Sequence, residues 1–86
     1  MRAFFFVCRW CEPCRILAPI LEEVVESNAV DLARVNVDDL SELALKHEVT
    51  SIPAVIAFAN GTKKASFVGV RDRQFVTDFV KKLVGS

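Results

Sequence analysis

Residues 3–19 read Ala-Phe-Phe-Phe-Val-Cys-Arg-Trp-Cys-Glu-Pro-Cys-Arg-Ile-Leu-Ala-Pro, and two different periods meet inside them. Ala3 to Cys8 is a continuous apolar run, which suits a strand buried on both faces under covering helices. From Pro13 the period changes. Ile16, Ile20 and Val24 fall in one column and Leu17, Leu21 and Val25 in the next, which predicts one face of a helix reaching about Ser27. Pro13 stands where a first helical turn accepts proline. Pro19 lies in mid-helix, where it removes a hydrogen bond and kinks the axis. A buried strand therefore hands over to a helix at Trp10-Cys11-Glu12-Pro13-Cys14.

The rest of the chain completes an α/β pattern. Asp31–Asp38 reads as a second strand, with Val35 and Val37 on one face and Arg34 and Asn36 on the other. Asp39 followed by Glu42 predicts a capping box for a short helix with Leu40, Leu43 and Ala44 inward, fading near His47. Ala54–Ala59 is a third strand. Asn60-Gly61 predicts a hairpin turn, and Ser66–Val68 the returning strand. Asp72 caps a last helix with Phe75, Val76, Phe79, Val80 and Leu83 as its core face, and Gly85 ends it. The order is β-α-β-(short α)-β-β-α. The first two strands, joined by a helix, should be parallel with a right-handed crossover. The last two should form an antiparallel hairpin, giving a mixed four-stranded sheet flanked by helices in one domain, 1–86.

Composition excludes several function classes. The chain has 86 residues, 52% of them hydrophobic and seven of them Phe, which excludes a disordered chain. Eleven basic and eleven acidic residues give no net charge, hence no field to draw in nucleic acid or an anionic membrane. No apolar run approaches the ~18 residues of a membrane-spanning helix. Cys8, Cys11 and Cys14 are too few and too clustered for a secreted disulfide framework. The stretch Met1–Val7 imitates a signal peptide, but Arg9 and Trp10 follow it without a small-residue cleavage site. The expected compartment is reducing, where C-x-x-C is redox-active or metal-binding.

Two cysteines three apart at a helix start lie on one side of one turn, within reach of a tight disulfide. Cys11, at the cap, meets free backbone N–H groups and the helix dipole, which favour its thiolate and make it the nucleophile. Cys14, one turn inside, is the resolving thiol. It would displace a product from a mixed disulfide on Cys11 and leave the pair oxidised. The Glu12 carboxylate opposes thiolate formation beside it. Ser51-Ile52-Pro53 precedes a strand, a position suited to a cis bond. Pro53 would then pack beside Cys11, and the Ile52 backbone would pair with an extended substrate. Cys8 reads as strand packing. The alternative is a C-x2-C-x2-C run opening an iron–sulfur ligand set, or a zinc site completed by His47, although no fourth cysteine exists. His47 otherwise reads as a surface residue at a helix end. Arg71, Arg73 and the pairs Lys63-Lys64 and Lys81-Lys82 read as solvated charge.

These motifs, taken together and in this order, resemble the thioredoxin family. W-C-E-P-C at 10–14 is similar to the family's W-C-G-P-C, and Pro19 to its active-site helix proline. Val35-Asn36-Val37-Asp38 is similar to the strand ending in Asp, Ser51-Ile52-Pro53 to the cis-proline loop, and Phe67-Val68-Gly69 to the glycine flanking the substrate groove. The likeness covers essentially the whole chain, and from about Asp38 to Gly85 it looks closest to mitochondrial-type thioredoxins. It implies a thioredoxin-like fold and a protein-disulfide reductase acting through Cys11 and Cys14 with no cofactor. It implies a groove lined by Trp10, Pro13, Ile52, Pro53, Gly69 and Val70. The implied partners are disulfide-containing proteins and an NADPH-dependent flavoprotein reductase, and the implied location is the cytoplasm or mitochondrial matrix. The protein should be mostly monomeric, with self-association through an edge strand as the alternative.

Three departures bear on activity. The family has a further strand and helix before the first strand here, so the strand at 31–38 should be an open edge. Phe5 stands where the family carries a buried aspartate that takes the proton of the resolving cysteine, with Arg34 near it. This should slow Cys14. Glu12 replaces Gly. Two rival readings follow. One is a glutathione-dependent glutaredoxin-like oxidoreductase, which the Trp before Cys11 and the lack of a Gly-Gly pair near Gly69 oppose. The other is a non-catalytic thioredoxin-like binding module.

Overall fold

A computed structural model describes residues 1–85. The elements are β1 (Arg2–Val7), α1 (Glu12–Ser27), β2 (Asp31–Asn36), α2 (Ser41–Lys46), β3 (Ala54–Ala59), β4 (Thr62–Val68) and α3 (Arg73–Val84). They form one mixed sheet in the order β2-β1-β3-β4. β1 pairs in parallel with β2 and antiparallel with β3, and β3 pairs antiparallel with β4.

The apolar run of β1 is explained by burial on both faces. Ala3, Phe5 and Val7 point into a core filled by Leu17, Leu21, Val24 and Val25 of α1 and Val76 and Val80 of α3. Phe4 and Phe6 point to the opposite face, into a second core with Val35, Ala44 and Ile56. Alternation is present in the geometry and hidden in the sequence, because both sides are apolar. α1 and α3 thus cover one face and the short α2 the other.

Other elements differ from expectation. α2 begins at Ser41 with Leu40 at its cap and no side-chain capping bond, so the Asp39–Glu42 box does not form. The chain turns earlier: β2 stops at Asn36, whose side chain accepts the Asp38 N–H at 2.8 Å. The Asn36 carbonyl accepts from the backbone of Asp39 and Leu40. Asp39 therefore lies inside a turn one step ahead of the helix. β4 starts at Thr62, well before Ser66, because Asn60 and Gly61 both adopt positive φ and close a two-residue turn. Ile16 is 56% exposed and leaves the core face predicted for it, and Phe75 is also exposed, with its ring edge-on to Phe67 at 5.4 Å. The cap on α3 is as expected: the Asp72 carboxylate accepts the Phe75 N–H at 2.9 Å.

β2 and β4 are the sheet edges. Arg34 of β2 pairs with Glu22, and Arg73 of α3 with Glu23 at 2.9 Å, each tying its element to α1. Both pairs are exposed, so each contributes little, about 0–1 kcal/mol.

Candidate active site

Register decides which residues meet. Phe6 lies opposite Ala54, and Ala54 opposite Val68. The residues just beyond these, the Cys8–Cys11 turn, Pro53 and Gly69, therefore emerge side by side at one end of the sheet. The Ile52–Pro53 bond is cis, and Pro53 is fully buried. The Gly69 N–H donates to the Pro53 carbonyl at 2.8 Å and fixes the two loops together. Gly69 has φ +88°, a left-handed conformation that side chains other than glycine rarely adopt.

Cys8 and Cys11 lie in the turn between β1 and α1, and Cys14 in the first turn of α1. Cys11 is the N-cap of α1, and its Sγ accepts the Cys14 N–H at 3.3 Å. A sulfur that receives a helix-terminal N–H is placed where negative charge is best tolerated. Cys14 is also buried, 5% exposed against 8% for Cys11. Its thiol is pushed up from an ordinary value near 9.0 to about 12. Burial is the main cause, followed by the hydrogen bond of its thiol to Cys11. A backbone hydrogen bond from Cys8 opposes the rise, and the negative charges of Cys11 and Cys8 add to it. The arrangement favours keeping the proton on Cys14.

The surroundings are asymmetric. Trp10 is 82% exposed beside Cys11, Val70 is exposed beyond Gly69, and Ile52 is half-buried between the two cores. Pro13 is exposed in the first turn of α1. The Glu12 carboxylate points to solvent and pairs with Arg15 at 3.3 Å, which offsets its charge. Arg9 donates its N–H to the Asp38 carboxylate at 3.4 Å, so the acid after β2 anchors the cysteine loop. Behind Cys14 lies a cleft of about 350 Å³ whose walls include Phe5, Cys8, Arg9 and Arg34. Phe5 is fully buried, with the Arg34 guanidinium 5.8 Å from its ring centre. No carboxylate lines this cleft among the described residues.

His47 is on the other face of the sheet, among Phe4, Phe6 and Phe58 with ring centres 5.4–6.2 Å away. It cannot complete a zinc site with the three cysteines. Among the described residues no three or more His, Cys, Asp or Glu side chains are gathered as a metal ion requires. No described helix is long and apolar enough to cross a membrane. Cys8, read as strand packing with a C-x2-C-x2-C run as the alternative, and Arg9, which the sequence did not single out, line the cleft because β1 stops at Val7.

The family model described as Thioredoxin matches residues 4–82. Mitochondrial thioredoxin of Bos taurus is 44% identical over 82 residues, covering 93% of this chain and 49% of that protein. Thioredoxin of Chlamydia pneumoniae is 41% identical over 78 residues, covering 90% of this chain and 76% of that one. Among solved structures, a mutant thioredoxin from Halobacterium salinarum superposes with a TM-score of 0.88 at 28% identity, covering 94% of this chain and 72% of the other. The reduced thioredoxin pre-protein of Schistosoma mansoni gives a TM-score of 0.85 at 34% identity, covering 94% and 76%. The chain spans about half the length of the mitochondrial relatives it matches. Since the matched stretch runs from β1 into α3 and takes in both cysteine turn and proline loop, the chain belongs to the thioredoxin family.

Proposed function

We propose that this chain reduces protein disulfides by dithiol–disulfide exchange. The observation that carries the reading is the division of labour in the cysteine pair. Cys11 Sγ receives the Cys14 N–H at 3.3 Å, while Cys14 holds its proton up to about 12. Cys11 thiolate attacks one sulfur of a substrate disulfide. A Cys11–S bond forms, the substrate S–S bond breaks, and the first product leaves as a thiolate that takes a proton from water. Cys11 is then uncharged, so its contribution to holding the Cys14 proton disappears. Cys14 releases that proton, attacks Cys11 Sγ and expels the second product. The substrate gains two electrons, and Cys11–Cys14 is left as a disulfide.

Trp10, Pro13, Ile52, Pro53, Gly69 and Val70 are proposed to hold an extended substrate segment, with the Ile52 backbone pairing to it. Their emergence at one sheet end and the exposure of Trp10 and Val70 support this. An NADPH-dependent flavoprotein reductase of the kind that serves this family would restore the dithiol. The work would be done in the mitochondrial matrix or cytoplasm; the similarity to mitochondrial thioredoxins supports the former.

The cleft without a carboxylate supports a second reading, in which the groove binds substrate and turnover is slow. One experiment separates them. Trp10 is the only tryptophan and adjoins Cys11. Its fluorescence is followed through buffers of stepped redox potential, alongside binding and reduction of a peptide disulfide. A single two-electron transition, lost in Cys14→Ser, with catalytic reduction of the peptide supports the reductase. Binding without reduction favours the module, and no transition overturns the reductase.

A further inference from the structure

The cleft behind Cys14 holds a third sulfur. Strict alternation along β1 would send Cys8 to the Phe4 and Phe6 face. β1 ends at Val7, however, and Cys8 instead packs against the core that contains Cys11 and Cys14. It is half-buried and lines the same cleft as both. Its backbone is hydrogen-bonded to the Cys14 sulfur. Arg9 and Arg34 are among the residues that line its walls.

We infer that Cys8 is a third redox-active thiol, exchanging with the oxidised Cys11–Cys14 pair at the Cys14 sulfur to give a Cys8–Cys14 disulfide and a free Cys11. The inference rests on the reading of Cys11 and Cys14 as a redox pair. The Cys8 thiol gives its proton to water, and its sulfur lone pair forms the bond to Cys14. The Cys11–Cys14 bond breaks with its electron pair on Cys11, which leaves as thiolate. The chain is oxidised by two electrons before and after, so the step needs no further oxidant. The hydrogen bonding at Cys11 favours attack at Cys14 over Cys11. Cys11 is the better leaving group, because the Cys14 N–H at 3.3 Å stabilises its charge. The rearranged protein keeps its nucleophile and lacks its resolving thiol, so a disulfide captured on Cys11 is retained as a mixed disulfide.

Trypsin separates the two disulfides. Cleavage after Arg2, Arg9 and Arg15 puts Cys8 in residues 3–9 and both Cys11 and Cys14 in residues 10–15. The redox pair closes a loop within one peptide, whereas Cys8–Cys14 links two. The full chain is oxidised with glutathione disulfide, quenched in acid, blocked with N-ethylmaleimide, digested at mildly acidic pH and mapped by mass spectrometry. The expected result is a linked peptide pair bearing the maleimide on Cys11, alongside the looped peptide. The same link forms in Cys11→Ser and is absent in Cys14→Ser. A looped peptide with every Cys8 blocked overturns the inference. A link bearing the maleimide on Cys14 does so as well, since the bond then lies at Cys11. Absence of both loop and link instead overturns the redox pair itself.

Discussion

The Cys14 N–H points at Cys11 Sγ across 3.3 Å, while burial pushes the Cys14 thiol up to about 12. The two cysteines are therefore not interchangeable. Cys14→Ser keeps that N–H and removes only the second attack. The expected outcome is a stoichiometric mixed disulfide on Cys11, with turnover falling to the uncatalysed background. Mass spectrometry of the protein mixed with a peptide disulfide checks it. In Cys11→Ser no such adduct forms at position 11.

The raised Cys14 thiol predicts a pH dependence in two readouts. In the resolving step the reactive form is the thiolate. Release of the second product should therefore rise with pH, about tenfold per unit, while Cys14 remains protonated in the mixed disulfide. Stopped-flow single turnover measures this. Stability moves the other way. A thiol whose folded value is raised contributes stability below its unfolded value near 9.0 and loses it as pH rises toward about 12. The oxidised protein has no such thiol. Denaturant midpoints at about pH 8 and about pH 10 should show the oxidised form gaining on the reduced one at the higher pH.

Much of this site was legible because its chemistry is local. A helix starting in the Cys-Glu-Pro-Cys stretch puts Cys11 at the cap and Cys14 one turn inside, and the structure, with α1 beginning at Glu12, keeps both there. Ile52-Pro53 was legible as a cis candidate, and Asn60-Gly61 as a turn, for the same reason. What the sequence hid depends on where elements stop. Cys8 faces the cleft only because β1 ends one residue earlier. The start of α2 was displaced because Asn36, Asp38 and Asp39 are all turn-forming residues, and only the end of β2 selects among them. Lys63 and Lys64 read as solvated charge ahead of the strand at Ser66, yet they belong to β4, an edge strand that tolerates solvated side chains.

The displaced cap makes its own prediction. Asp72→Ala removes a carboxylate that accepts the Phe75 N–H at 2.9 Å and should cost about 0.5–2 kcal/mol. In a domain of this size that lowers the melting temperature by several degrees, roughly 4–8 °C per kcal/mol. Asp39→Ala removes no capping bond and should stay within about 0.5 kcal/mol. Thermal unfolding of the two variants side by side checks the contrast. Equal losses would mean that Asp39 caps α2 after all.

Phe5 gives the sharpest test of how Cys14 loses its proton. Its ring fills the core beneath the cleft, and no carboxylate lines the walls there among the described residues. In the proposed mechanism the proton leaves through the cleft to water. Phe5→Asp places a base at that wall, next to the Arg34 guanidinium that now lies 5.8 Å from the ring. The single-turnover rate of product release at neutral pH should rise and its pH dependence should flatten, because an internal acceptor replaces solvent. Phe5→Ala separates this from packing. Phe5→Ala loses the buried ring and about 3–5 kcal/mol of stability, and Phe5→Asp loses more because its carboxylate is also desolvated, so both are compared in a stabilising salt such as sulfate. Only the aspartate supplies a proton acceptor. A faster, flatter profile in Phe5→Asp alone supports solvent-limited proton release in the native chain. The same gain in Phe5→Ala would show that opening the cleft to water is sufficient, and no gain in either would place the slow step elsewhere.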